Sequence, residues 1–348
     1  MKQRIQWIDV AKCFGMFFIY LGHYGVVTGN AYNWVFSFHV CLFFYLSGCL
    51  ENFNHKTILE NIQKKVINIL IPFFFFAILG ILYNAVLINT NVYIHENLML
   101  LLKGDIRNHI NFGGGLWFLS CLFVIEILFS FIKKMNKKII IFITCLILFM
   151  FSQFLISPPP TVQPSWYWNI DSALYYTIFY CIGFITYEPV LKLFRSKKSL
   201  VKWISNIALL LCFIYSFSLF WQNNLLSKII GLNDIIGKMF EIITPLPSIF
   251  LVLRVSYFLS GVEILERLGR ASLYLCGNEF IIKELVPQIL GIFNISITIS
   301  TTIQAYIYCF LLLCLVEKLL MPSEKLIIEK LQNETSSLVK MLLQCKWL

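Results

Sequence analysis

The sequence predicts an all-α, polytopic integral membrane protein of about ten transmembrane helices, with both termini in the cytoplasm. Of its 348 residues, 59% are hydrophobic and only 13% are charged, whereas a soluble domain carries roughly 25% charged residues. Its mean hydropathy is +0.77. Apolar runs long enough to cross a hydrocarbon core of about 30 Å as helices recur along the chain. These observations exclude an ordinary soluble globular protein.

Ten apolar runs are each expected to form one spanning helix. In chain order they are residues 8–27, 34–50, 67–87, 116–132, 139–156, 170–190, 201–221, 239–259, 272–289 and 297–316. Together they predict one membrane domain over residues 1–320. The segment that follows, residues 321–348, predicts an amphipathic tail lying on the cytoplasmic surface.

The distribution of positive charge predicts the orientation of these helices. Cytoplasmic loops carry an excess of Lys and Arg, and most of the 28 Lys and Arg residues fall on one side when the N-terminus is placed inside. The proline-rich segment 158–168 is then external. The net charge of +10 is split among short loops, so it reports topology and does not indicate nucleic-acid binding. We expect a multi-pass protein of the inner (plasma) membrane, with the lipid bilayer as its first partner.

The cysteines indicate no metal site. The chain has 11 of them, without the spacing of metal ligands, and most lie inside apolar runs. Buried thiols of this kind usually act as small hydrophobic side chains.

The first apolar run carries three ionisable residues, Asp9, Lys12 and His23. Steps of 11 and 14 residues return to nearly the same face of an α-helix. One face therefore presents a carboxylate, an ammonium and an imidazole in order of depth, and ionisable groups inside a span are functional candidates by default. Asp9 and Lys12 are also three residues apart, a spacing at which opposite charges pair. Lys12 is therefore either an anion-binding group or half of a structural pair.

A second histidine, His39, lies near the same end of the second run. On adjacent antiparallel helices, His39 and His23 come to a similar shallow depth in the outer half of the membrane, where they can face one cavity. Taken singly, either could be a buried core histidine. A neutral imidazole is well suited to take a proton from an alcohol. We therefore predict a catalytic site of His23, His39 and Asp9, with His23 as general base.

The stretch WIDVAKCFGMFFIYLGH, followed by FSFHVCLFFYLSG, resembles the opening of the acyltransferase-3 family of integral membrane O-acyltransferases, and more narrowly its fucose 4-O-acetylase-like branch. The family pattern begins with a basic residue, ten positions and a histidine, which Lys12 and His23 match. The broader family usually has arginine at the first of these positions, and the narrower branch commonly has lysine. The second signature, F-x-F-H and F-F-x-L-S-G, is matched at residues 36–39 and 43–48.

Two later segments extend the resemblance. GGGLWFLSCLF, residues 113–123, resembles the W-F-L segment that opens the fourth span, and LGRASLYLCGNEFIIK, residues 268–283, resembles the late S-L-Y segment. A histidine often follows the latter in the family, and Asn278 and Glu279 take its place here. We assign Trp117, Asn278 and Glu279 to substrate binding, while Glu279 also lies four residues before Lys283, at the spacing of a structural ion pair.

The resemblance implies transfer of an acyl group, usually acetyl, from cytoplasmic acetyl-CoA to a sugar hydroxyl of a cell-surface polysaccharide or its lipid-linked precursor. No metal is implied. An anionic donor at the inner face needs cations, and we predict that Lys12, Arg254, Arg267 and Arg270 bind it. The arginines also fit the excess of positive charge at that face or, for Arg254, snorkelling to the interface. The alternative function is a transporter or flippase for a sugar or lipid-linked glycan.

Overall fold

The computed structural model of the protein describes residues 4–54, 57–88, 94–104, 115–160, 163–221 and 235–345, and within them it contains helices, turns and irregular segments but no strand. The all-helical prediction is confirmed for this part of the chain. The helices of the first half are α1 Gln6–Gly22, α2 Ala31–Phe36, α3 His39–Glu51, α4 Ile58–Lys65, α5 Ile71–Tyr83, α6 Ile94–Leu102, α7 Trp117–Ile132 and α8 Lys138–Phe154. Those of the second half are α9 Ile170–Arg195, α10 Ser199–Trp221, α11 Ile235–Ile243, α12 Pro245–Phe258, α13 Glu263–Arg270, α14 Ser272–Ile292, α15 Thr302–Leu315 and α16 Met321–Cys345.

Several of these helices are built to cross a membrane. Within the described part of the chain, six helical segments are long and apolar enough: Ala31–Glu51, Ile58–Val86, Tyr167–Arg195, Ser199–Trp221, Ile235–Phe258 and Thr302–Val339. The protein is therefore a multi-pass membrane protein. Each of the ten predicted runs overlaps helix, but residues 297–301 of the last run are not helical, and α1, α7 and α8 have only 17, 16 and 17 residues. The count of ten spans and the side of the termini stay predictions.

The second predicted run is broken into α2 and α3 at Phe38. The backbone of Phe38 has φ −148° and ψ −18°, outside the helical region. Helix ends leave backbone carbonyl groups without intrahelical partners. The imidazole of His39, at the first position of α3, meets one of them, because its Nδ1 lies 2.8 Å from the carbonyl oxygen of Val35. The break therefore orients His39.

Close packing of α3 on α9 depends on two glycines. A Cβ atom at Gly48 would overlap the carbonyl group of Tyr180, and one at Gly183 would overlap the carbonyl group of Tyr45. Small residues let membrane helices approach backbone to backbone. Gly48 ends the F-F-x-L-S-G signature, so its role in packing accounts for the glycine there.

Helix α1 lies in the middle of the molecule, in contact with α2, α3, α12, α13, α14 and α15. Its contact with α13 is backbone to backbone, because a Cβ atom at Gly269 would overlap the carbonyl group of Asp9. The polar face of α1 is thus enclosed by helices from both halves of the chain, which brings distant side chains to it.

The C-terminal segment continues the last spanning helix without a break. Helix α15 passes through a π-helical turn, Val316–Leu320, directly into α16. The side chain of Glu324 is buried and accepts a hydrogen bond of 2.8 Å from the Asn278 amide, and Ile328 is 1% exposed. The structure therefore shows no interruption at the predicted boundary of residues 320 and 321, and the start of the predicted tail packs against the membrane domain. Residues 346–348 lie outside the described residues.

Candidate functional site

The imidazole of His23 is paired with a buried carboxylate. His23 follows the last residue of α1, and its Nδ1 lies 3.0 Å from Oε1 of Glu279 in α14. The Glu279 side chain is 5% exposed, whereas that of His23 is 34% exposed. With the Nδ1 hydrogen donated to the carboxylate, Nε2 is free to accept a proton. The pair therefore has the arrangement of an oriented general base.

A half-buried cation completes this pair. Lys283 lies one turn after Glu279 and forms an ion pair with the same oxygen, Oε1. Its ammonium group also lies 5.6 Å from the ring centroid of Tyr20 and 5.1 Å from that of Tyr24, both close to His23 in the chain. A buried carboxylate needs opposite charge or hydrogen bonds around it. Lys283 supplies that charge, so the predicted Glu279–Lys283 pairing is confirmed.

His39 lies at the same end of the structure, as predicted, but does not contact His23 directly. It is 4% exposed. The ring of Phe36 lies between the two imidazoles, with ring centroids 6.4 Å from His23 and 5.0 Å from His39. Because a carbonyl oxygen only accepts, His39 donates its Nδ1 hydrogen to Val35 and also has Nε2 unprotonated.

A cavity of about 230 Å³ follows the polar face of α1. It is lined by Lys12, Met16 and Ile19, which precede His23 by 11, 7 and 4 residues and so share its helix face. The other walls come from α3, α7, α14 and the π-helical turn Val66–Leu70: Phe43, Ser47, Asn68, Ile69, Phe118, Leu119, Leu122, Ser272, Leu273 and Cys276. All four motif segments of the sequence contribute. Residues 113 and 114 of the third segment lie outside the described residues.

Lys12 is not paired with Asp9. The carboxylate of Asp9 instead accepts a 3.0 Å hydrogen bond from Nε of Arg4. Among the described residues, none places a carboxylate oxygen within 4.0 Å of the Lys12 ammonium group. The structural pair at this end of α1 is Arg4–Asp9, so Lys12 is left as a cation facing a cavity.

The structure does not bring Asp9 to His23. Fourteen residues of helix separate them, about 21 Å along the axis, and Asp9 is held by Arg4. The catalytic role predicted for Asp9 therefore has no supporting contact. The sequence correctly placed Asp9 and His23 on one face of α1. That face runs the whole length of the helix, however, and only the residues near its end lie close to the imidazole.

The four cations predicted to bind the donor do not line one cavity. Arg267 forms an ion pair with Glu317, at 2.9 Å but poorly aligned for a hydrogen bond, and Arg270 lies 3.7 Å from Glu266. Arg254 packs on Phe194 in another cavity. Only Lys12 lines the cavity along α1, so donor binding by the three arginines stays a prediction without a supporting contact.

Of the three residues predicted to bind substrate, only Glu279 lies at His23. Trp117 is 8% exposed and packs on the ring of Tyr176, with centroids 5.9 Å apart. Asn278 is fully buried and donates to the carbonyl oxygen of Tyr274, at 3.0 Å, and to Glu324. A substrate role for Trp117 and Asn278 stays a prediction.

Sequence reasoning missed the contact that defines the site. Glu279 was considered with its helix neighbour Lys283, and a signal for that pair existed in the four-residue spacing. The contact with His23 joins helices at opposite ends of the chain, and no local spacing encodes it. Tyr20 and Tyr24, which pack on Lys283, were not recognised as site residues either.

Comparison with known protein families gives one match. Residues 5–317 match the model Acyl_transf_3, described as an acyltransferase domain. The match begins just before α1, includes His23, Glu279 and every residue that lines the Lys12 cavity, and ends beyond α15. No curated protein and no solved structure matches the chain significantly.

Proposed function

Since this chain belongs to the acyltransferase-3 family, we propose that it is an O-acetyltransferase of the fucose 4-O-acetylase-like branch, embedded in the inner (plasma) membrane. Its donor is cytoplasmic acetyl-CoA, and its acceptor is a sugar hydroxyl of a cell-surface polysaccharide or its lipid-linked precursor. The observation that carries the proposal is the half-exposed His23 held by buried Glu279 at the end of the helix face that lines the Lys12 cavity.

The proposed reaction begins with proton transfer from the sugar hydroxyl to Nε2 of His23. As the proton leaves, the hydroxyl oxygen forms a bond to the acetyl carbonyl carbon, and the carbon–sulfur bond of the thioester then breaks. The imidazolium returns its proton to the departing CoA thiolate, so the products are the O-acetyl sugar and free CoA. General-base assistance of this kind contributes roughly 10²- to 10⁴-fold to the rate.

Glu279 and Lys283 act in this scheme as positioning residues. The Glu279 carboxylate accepts the Nδ1 hydrogen of His23, which fixes the tautomer whose lone pair is on Nε2 and stabilises the imidazolium that forms during the reaction. Lys283 neutralises the carboxylate from its other side and keeps its oxygen in place. A substrate contact of His39 near Phe36 is part of the proposal, supported by the contact between the His39 and Phe36 rings.

The donor is proposed to lie along α1. Lys12 precedes His23 by about 16 Å of helix. The cavity that Lys12, Met16 and Ile19 line on this face has largely apolar walls, with Ser47, Asn68 and Ser272 interspersed. A narrow thioester arm suits such a lining, with an anionic part of the donor near the ammonium group. The position of Lys12 in the cavity wall, with no carboxylate oxygen of the described residues within 4.0 Å of its ammonium group, supports this role.

The family assignment favours the enzyme over the transporter alternative, because the chain matches an acyltransferase model over residues 5–317. The cavity is lined by residues of α1, α3, α7, α14 and the π-helical turn Val66–Leu70, and His23 is not among them.

The test is the O-acetyl content of the cell-surface glycan, measured by NMR in cells with and without the gene. We expect one O-acetyl ester signal to disappear on deletion and to return with the wild-type gene but not with His23→Ala at equal membrane abundance. His95→Ala, which removes the exposed histidine of α6, is the matched control and should restore the signal. An unchanged glycan after deletion would refute the proposed acceptor class.

A further inference from the structure

A second cavity with cationic walls lies between α9, α10 and α12, apart from the Lys12 cavity. Its volume is about 270 Å³. The side chains that face it include two cations, two hydroxyls, one amide and one aromatic ring: Phe194, Ser196, Lys202, Ser205, Asn206 and Arg254. No acidic residue lines it. Such a cavity is suited to an anion.

The cations of this cavity are not neutralised by neighbouring acids. The guanidinium carbon of Arg254 lies 5.1 Å from the ring centroid of Phe194, which holds it by a cation–π contact. In the ranges of the chain that the structure describes, no carboxylate oxygen lies within 4.0 Å of Arg254 or Lys202. Arginine in a fixed position binds phosphate through two parallel hydrogen bonds.

A buried hydroxyl group in the same cavity also lacks a partner. Ser205 is 2% exposed, and its Oγ forms no hydrogen bond with any described residue. Leaving a buried hydroxyl without a hydrogen-bond partner is unfavourable for folding. A phosphate oxygen in the cavity would satisfy it, so Ser205 indicates a ligand independently of the two cations.

The surface around the cavity is apolar and suits the acyl chains of a lipid. Only 17% of the apolar stretch of α10 is buried within the protein. Large apolar side chains next to Lys202 and Asn206 point outward, with Trp203 64% and Ile204 52% exposed. A ligand with its anionic group in the cavity would place the rest of its structure along this face. Acyl chains fit that face, whereas a soluble anion would leave it uncovered.

We propose that this cavity binds the phosphate group of an anionic phospholipid, whose acyl chains lie along α10. Arg254 and Lys202 neutralise the phosphate, and Ser205 donates its hydroxyl hydrogen to it. Further cations in residues 192–198 raise the local concentration of anionic lipid. In the predicted orientation, this lipid belongs to the cytoplasmic leaflet. Arg254 then serves lipid binding and not the acetyl donor, independently of the reaction proposed above.

The experiment measures binding of phosphatidylglycerol and phosphatidylcholine to the purified full-length protein in neutral detergent, by native mass spectrometry and by the thermal unfolding midpoint. We expect phosphatidylglycerol to bind and to raise the midpoint, and phosphatidylcholine to do neither. The double variant Lys202→Gln, Arg254→Gln should bind phosphatidylglycerol about tenfold or more weakly. The matched control, Lys137→Gln with Lys138→Gln, removes the same charge at two exposed positions that do not line the cavity and should bind nearly as wild type.

Several results would overturn the proposal. Equal binding of the two lipids, or equal loss in both double variants, would show that no specific site exists. Inorganic phosphate or CoA giving the same shift at the same concentration would show a free-anion site instead. If the double variant fails to fold, Ser205→Ala decides: we expect it to leave the lipid-free midpoint unchanged or higher and to lose several-fold in phosphatidylglycerol affinity. Unchanged affinity in Ser205→Ala would contradict the proposal.

Discussion

Nδ1 of His23 and Oε1 of Glu279 lie 3.0 Å apart, although the two residues belong to helices from opposite ends of the chain. The contact joins an accessible imidazole to a buried, charge-neutralised carboxylate. It turns a histidine at a helix end into an oriented base, because the ring nitrogen that faces the carboxylate is held and the other is left free.

Replacing His23 by alanine should lower acetyl transfer by roughly 10²- to 10⁴-fold, because the general base is lost. Folding should be little affected, since about a third of the side chain is exposed. The measurement is the rate of CoA release with a defined acceptor, using purified protein and His95→Ala as control. A well-folded His23→Ala enzyme with nearly wild-type turnover would contradict the catalytic assignment.

Glu279→Gln should lower kcat strongly, on the order of 10²-fold or more, with a much smaller change in the KM of either substrate. The amide keeps the shape of the side chain but cannot stabilise the imidazolium. Glu279→Asp should recover part of the activity because the charge is retained. A variant in which KM rises and kcat stays the same would instead indicate that Glu279 binds substrate.

Lys283→Met should destabilise the protein by as much as ~3 kcal/mol, because removing one partner of a buried ion pair leaves the other uncompensated. The second change Glu279→Gln should restore much of that stability without restoring activity. Thermal unfolding of the two single variants and the double variant gives the free energy of interaction between the two side chains. Additive effects on stability would show that the two side chains do not interact.

Lys12→Met should raise the KM for acetyl-CoA and leave the KM for the acceptor unchanged, since the apolar stem is kept and the charge deleted. Lys12→Arg should be partly active, because arginine is usual at this position in the broader family. Asp9→Asn is the control on the same helix and should leave both KM values near wild type, because Asp9 is paired with Arg4. If only the combination of Asp9→Asn and Lys12→Met folds and works, the pair is structural and the donor role of Lys12 is wrong.

The predicted orientation can be tested with single introduced cysteines and a membrane-impermeant maleimide on intact cells. Ser165→Cys should be labelled from outside, whereas Lys137→Cys should react only after the membrane is opened; both positions are exposed. Ten of the native cysteines are buried or half-buried, so wild-type protein gives the background. The reverse labelling pattern would show that the orientation in the membrane is opposite to the predicted one.

The sequence by itself was sufficient to predict the helical membrane architecture and the residues that share one face of α1. Hydrophobic runs and helical spacing are local properties, so composition and periodicity predicted helices where the structure has them, and placed Lys12 and His23 on one face. The same reasoning could not detect the break at Phe38 or the continuation of α15 into α16. Those features depend on what packs around the helices.

Only the tertiary structure decided which charges meet. It paired Asp9 with Arg4 and His23 with Glu279, joined Glu126 to Lys65, and separated Arg254 from Lys12. The energy of a buried charge depends on the groups within a few ångströms of it, and in a helical bundle those groups come from helices that are distant in the chain. Helical spacing shows the direction in which a side chain points, and helix packing determines what it meets there.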